Sequence, residues 1–309
     1  MNRVRRILLL GLIATLPAAF CAAQRWRHRA SSDGIIYTEG GVPVNEDTVK
    51  TAREIASHST GTLNWTNEAG FEKDVFTFVR IIRDSSPDDS PSAGGWITDF
   101  PDSDLNLSYR LQQLTSLKVD PDGRVMRLTD ADLFNYPWIY MVEPGGLLLR
   151  DEEVPILRKY LLNGGVLMAD DFWGDWQWES FHREIKRVLP ECEFAELPMA
   201  HPIFHCVFDL QISKNKLQTP NVWQGSRSQY DGVTWERHRR KDGSWEECTE
   251  MHVRAILDDK GRIMIIAVHN CDNGDGWERE GEDDYFFHEF SEKRAYPLGI
   301  NIIFYLLTH

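Results

Sequence analysis

Positive charge is what this 309-residue sequence is shortest of. Its 34 Lys and Arg stand against 48 Asp and Glu, for a formal net charge of −14. Phosphate backbones are held by basic faces, so a nucleic-acid partner is excluded. Long apolar runs are missing too. Past the first residues the longest one, residues 298–307, contains Asn301 and falls short of the ~20 residues a spanning helix needs. Cysteine is sparse, and no two of the five have Cys-x-x-Cys spacing, which removes the usual zinc pattern. No phosphate loop and no nucleophile motif is present, so the chain spells out no reaction.

What is there begins with an address. Arg3, Arg5 and Arg6 precede an apolar stretch over residues 7–16, Pro17 breaks it, and Cys21-Ala22-Ala23 supplies small residues before Gln24. That layout is an export signal cleaved near Ala23. It predicts a periplasmic or extracellular chain whose mature part has no membrane span and is more acidic still. The expected organisation is a signal peptide over 1–23, a leader and helix over 24–60, and one α/β domain over 61–309. Cys192, Cys206, Cys248 and Cys271 follow the signal. An oxidising compartment allows three pairings of them, which spacing does not distinguish, and buried thiols are the other outcome.

Along the chain, Val49, Ala52 and Ile55 recur at helical spacing within residues 46–58. Residues 75–82 are β-branched and aromatic and predict the first core strand. Asp104 begins a helix with Leu107, Leu111 and Leu114 on one face. A short buried strand follows at 138–142, and then a helix over 151–163 with acidic residues in its first turn. Gly164-Gly165 stops it before a strand at 166–169, and a helix over 178–188 comes next. This alternation predicts a mainly parallel sheet with helices on both faces. Residues 199–250 break the rhythm and read as a β-rich insertion. The hairpin around Asp258-Asp259-Lys260-Gly261, an acidic loop over 272–284 and a helix over 297–307 complete the chain.

Ligands of open α/β sheets sit beyond the carboxyl ends of the strands. Projecting those ends onto one edge gathers Asp99, Glu143, Asp170, Asp171, His269 and Asp272, with Trp173 beside them. Crowded carboxylates suit a hard cation, and Asp170, Asp171, Asp272 and Asp275 are the metal candidates. No other cofactor is expected. The same carboxylates also suit helix caps and arginine partners such as Arg80 and Arg110. A tryptophan beside them suits a sugar or peptide. Asp170 or Asp171 with His269 offers acid–base work of a hydrolase kind. The leading expectation is a non-catalytic binding or interaction module using this acidic cleft, with the hydrolase as the alternative.

Several blocks in order carry a resemblance: Trp96-Ile97-Thr98-Asp99-Phe100-Pro101, Tyr136-Pro137-Trp138-Ile139-Tyr140-Met141, and Gly164-Gly165 through Asp170-Asp171-Phe172-Trp173-Gly174. His201-Pro202-Ile203-Phe204, Gly274-Asp275-Gly276-Trp277-Glu278 and Leu298-Gly299-Ile300-Asn301-Ile302-Ile303 extend it. Over residues 75–309 the chain resembles a domain-of-unknown-function family of exported bacterial proteins, some fused to or encoded near aerotolerance-type membrane proteins. The resemblance implies a flavodoxin-like, class I glutamine amidotransferase-like fold and a cell-envelope or membrane-protein partner. Amidotransferases of that class carry a cysteine on the turn after a central strand. Here aspartates and Phe172 follow residues 166–169, so their chemistry is not carried over.

Overall fold

The computed structural model describes residues 34–59, 61–70, 74–86 and 95–309. The expected signal peptide and residues 87–94, in the connection after the predicted first strand, lie outside them. Seven strands form one sheet: β1 (Val79–Ile82), β2 (Arg124–Arg127), β3 (Trp138–Val142), β4 (Val166–Phe172), β5 (Ala195–Glu196), β6 (His252–Leu257) and β7 (Ile263–His269). Their spatial order is β2-β1-β3-β4-β7-β6-β5. The first five in that order are mutually parallel, and β6 and β5 add an antiparallel edge. The strands are apolar on both faces because both are covered. Helices α1 (Asp102–Leu114) and α6 (Tyr296–Thr308) bury Leu107, Leu111, Leu298 and Ile302 on one face. Helices α2 (Glu153–Leu162) and α3 (Gly174–Val188) bury Leu157, Leu161, Phe181 and Ile185 on the other.

Three local expectations are corrected. Residues 46–58 hold only a 3-10 turn, Ala52–Glu54. Val49 and Ala52 are buried, as their spacing suggested, but the backbone is recruited by the sheet edge. Ala52 N donates to Asp122 O at 3.0 Å, and Val125 N donates to Lys50 O at 2.9 Å. Tertiary hydrogen bonds outweigh a weak helical preference over so short a segment. The 199–250 segment is not chiefly β. It contains helix α4 (Val222–Asp231), capped by the Asn221 side chain and ended by Gly232 at φ 72°. Its only ladder is a hairpin of Arg237–Arg239 with Trp245–Glu247. Residues 272–284 are not simply a loop either: α5 (Asn273–Glu278) starts there, its first turn closed by Asp272, whose side chain accepts from Asp275 N at 2.7 Å.

All four cysteines of the described residues are free thiols. Among the described residues, no helix is long and apolar enough to cross a membrane.

Candidate functional site

Backbone strain marks the carboxyl edge of the sheet. Among the described residues, four non-glycine residues have left-handed φ: Asp99 at 62°, Glu143 at 46°, Asp171 at 57° and Asn270 at 58°. Such geometry costs on the order of 1–3 kcal/mol per residue and persists only where the surroundings impose it. Glu143 directly follows β3, Asp171 is the next-to-last residue of β4, and Asn270 follows β7. Asp99 lies in the connection from β1 to α1. All four are therefore turned at one rim.

The turns are held by buried hydrogen bonds. Glu143 N donates to Asp170 O at 2.9 Å, and Asn270 N donates to Phe172 O at 2.9 Å. Arg83 donates to Val142 O at 3.0 Å and to Glu143 O, tying down the carbonyls at the end of β3. Arg80 is fully buried. It donates to both Asp104 oxygens and to the carbonyls of Trp96 and Thr98, at 2.9 and 2.8 Å, which fixes the approach to Asp99. The 199–250 segment folds across this rim: Gln218 donates to Asn270 O at 2.8 Å, and Thr219 O accepts from Asp272 N at 2.7 Å.

Asp99, Asp171 and Asp272 converge. One oxygen from each lies within 4.8 Å of the others, and all three residues are buried. Asp99 also belongs to a second such group, with Asp275 and Glu278. Burial is the first cause raising Asp99, Asp171 and Asp272 well above the ordinary carboxylate range, with neighbouring carboxylates adding to it. Glu143 is pushed up to about 8, mainly by burial, although Thr98 Oγ1 donates to it at 2.5 Å. Glu278 is also raised to about 8, mainly by burial.

The two groups differ in what neutralises them. Arg279 Nε lies 3.1 Å from Asp275 and 2.7 Å from Glu278, and His58 Nε2 lies 2.6 Å from Glu278. For Asp99–Asp171–Asp272 no side-chain ion pair is formed among the described residues. Asp171 accepts one hydrogen bond from the Trp173 indole at 2.9 Å. Asp99 Oδ2 is buried and makes no hydrogen bond at all.

The residues expected at this site divide accordingly. Asp99, Asp171 and Asp272 meet, with Trp173 bonded to Asp171 and stacked on His238. Glu143 contributes field to Asp171. Asp170 is consumed by structure, accepting from Asn273 at 2.8 Å and Tyr140 at 3.3 Å, and burial lifts it to about 7. Asp275 is held by Arg279 and accepts from Val222 N at 2.5 Å. His269 is not brought to the acidic centre. Alternate residues of a strand face opposite ways. Asp170 follows Met168 toward α1 and α6, whereas His269 follows Ala267 to the other face, among Phe172 and Trp178. There it lines a shallow cavity of about 220 Å³ with Asp175, Glu246, His252 and Arg254, and burial drops it to about 3. The acid–base pair expected of Asp170 with His269 therefore lacks its geometry, and the charges acting on His269 are Arg254, His252 and Glu196 rather than Asp171.

Sequence reading missed His58, Asp102, Glu278 and Arg279. Only Glu278 had a signal, as the end of the Gly274-Asp275-Gly276-Trp277-Glu278 block. His58 reaches the site through a tertiary contact that no spacing announces. Trp96 and Trp277 are core residues.

A covered, mainly parallel α/β sheet with an acidic centre at its carboxyl edge is the class of protein that these features define. The chain belongs to the family described as Domain of unknown function (DUF4159), whose model matches residues 78–307. No curated protein matches it.

Proposed function

We propose that this protein is a non-catalytic binding module of the bacterial cell envelope whose ligand is a cation, or carries one, and docks at the acidic strand-end centre. The observation that carries this reading is the convergence of buried Asp99, Asp171 and Asp272 with no ion-paired side chain among the described residues. Buried like charges are costly unless a cation or protons neutralise them. Position supports the reading as well. The parallel strands run β2-β1-β3-β4-β7, the order of a flavodoxin-like sheet, and ligands of such sheets bind at the β1/β3 switch point. Asp99 follows β1 and Glu143 follows β3. This order also supports the amidotransferase-like resemblance, without its cysteine. The leader-like start of the sequence supports export, and the family resemblance supports an envelope or membrane-protein partner.

The test is a thermal-shift comparison of the protein with calcium and magnesium chlorides, spermidine, and the anions citrate and phosphate. A rise with a metal ion or spermidine that is lost in Asp171→Asn supports the reading. Stabilisation by the anions alone, or by none of these, overturns it.

A further inference from the structure

The acidic centre divides into one half that the protein neutralises itself and one half that it does not. Asp275 and Glu278 have Arg279, and Glu278 has His58 as well. Asp99, Asp171 and Asp272 form no ion pair with either, although Asp99 lies in the field of Arg279 and Arg80, and they are only 1%, 6% and 4% exposed. Asp99 Oδ2 is an acceptor with no donor. It is aimed at the start of α5: a β-carbon added to Gly274 would collide with Asp99 Oδ2 and would also lie 3.5 Å from Asp272 Oδ1. The orphaned oxygen and a second carboxylate oxygen, which also accepts from Asp275 N at 2.7 Å, thus both lie against Gly274. Asn273, between Asp272 and Gly274 in the chain, carries another buried oxygen, Oδ1, without a hydrogen bond.

We propose that Asp99, Asp171 and Asp272 are the ligands of a hard divalent cation, calcium or magnesium. The proposal rests on the cation-binding reading above and names the cation. The donor set decides its class. Three carboxylates and no thiolate or imidazole favour calcium, magnesium or manganese over zinc or copper. Three side-chain ligands leave about half of a six-coordinate shell open, which is where water or an oxygen-bearing ligand completes it. A bound dication removes most of the repulsion among the three aspartates. Arg279 and His58 keep the other half of the centre from competing for it.

Trp173 supplies a direct readout, because its indole donates to Asp171. Terbium substitutes for calcium at oxygen sites, and excited tryptophan transfers energy to it at close range. Terbium added to the full chain is expected to emit on tryptophan excitation, and calcium should quench that emission by displacement. Trp173→Phe should cut the emission several-fold, and the calcium-induced rise in melting temperature is read on the wild-type protein, since the variant also removes the donor to Asp171. That rise is expected to be on the order of 5 °C at millimolar calcium or magnesium. Asp99→Asn should lose both signals while remaining folded, as circular dichroism would report. Wild-type protein that answers to spermidine but to neither metal overturns the metal site and leaves the cation-binding reading standing. No response to either overturns both. A metal response unchanged in Asp99→Asn overturns the ligand assignment.

Discussion

Asp99 and Gly274 share one space: the Asp99 carboxylate oxygen Oδ2 occupies the volume that any β-carbon at position 274 requires. Glycine is needed there for room, not for backbone freedom. Gly274→Ala must push a buried carboxylate aside in a packed interior, a change that costs roughly 1–3 kcal/mol. Urea denaturation should register that loss. The same substitution should weaken the calcium or magnesium response, because it moves one of the three converging oxygens. A stable Gly274→Ala protein with a full metal response would show that Asp99 is free to relocate.

Arg80 fixes the Asp99 loop from below. Its buried guanidinium joins Asp104 to the carbonyls of Trp96 and Thr98. Arg80→Met leaves Asp104 as an uncompensated buried charge, and breaking such a pair costs about 3–5 kcal/mol. Adding Asp104→Leu should return part of that stability, since a buried pair replaced by apolar groups is often neutral. It should not return the cation response, because both loop carbonyls still lack their donor. Chemical denaturation and metal-induced thermal shift, measured on the single and double variants, separate these two effects.

How much of this was legible depended on how local the cause was. β3 was read to the residue, since a buried apolar run between turn signals needs no distant partner to be recognised. β4 was read as ending at Ala169. It continues through Asp170 and Asp171 to Phe172, because pairing with β3 and β7 extends a ladder that polar residues do not advertise. Helix α4 was missed because it buries little, chiefly Gly225 and Ser228, so its apolar face was too thin to give a period. At the site, Asp99, Asp171 and Asp272 followed from the rule that strand ends carry function. The facing of His269 did not follow, because the strand-end rule places a residue at the rim without deciding which sheet face its side chain takes. His58 lies outside the matched blocks, and its role exists only once the N-terminal segment packs on α1 and α5.

The His58 clamp makes stability fall on the alkaline side. Its ring nitrogens lie 3.0 Å from Asp102 and 2.6 Å from Glu278. Asp102 first, and then Glu278, raise the imidazole from 6.5 to about 10. A group whose folded pKa is raised contributes fully below its unfolded value, and that contribution is lost as pH climbs through the folded one. The advantage of wild type over His58→Gln should therefore be largest near neutral pH and below. It should shrink steadily toward about pH 10. Thermal melts of the two proteins across that range test it. A gap that widens with pH would mean the ring is neutral in the folded state.

His269 provides the test that separates the two functional readings. It stands on the sheet face opposite Asp170, against Phe172 and Trp178, and its Nε2 lies 3.1 Å from Gly174 O. Burial and the nearby Arg254 hold it neutral, with a pKa dropped to about 3. A ring that stays neutral across the physiological range and faces away from the acids is a packing and hydrogen-bonding residue. His269→Gln keeps a polar atom for that contact but removes any base. It should lower stability by about 1–2 kcal/mol through lost ring packing and a less well placed hydrogen bond. The calcium and magnesium responses, and terbium emission excited through Trp173, should be unchanged. If His269→Gln instead abolishes the metal response without unfolding the protein, His269 and the aspartates act as one unit, and the hydrolase reading regains its geometry.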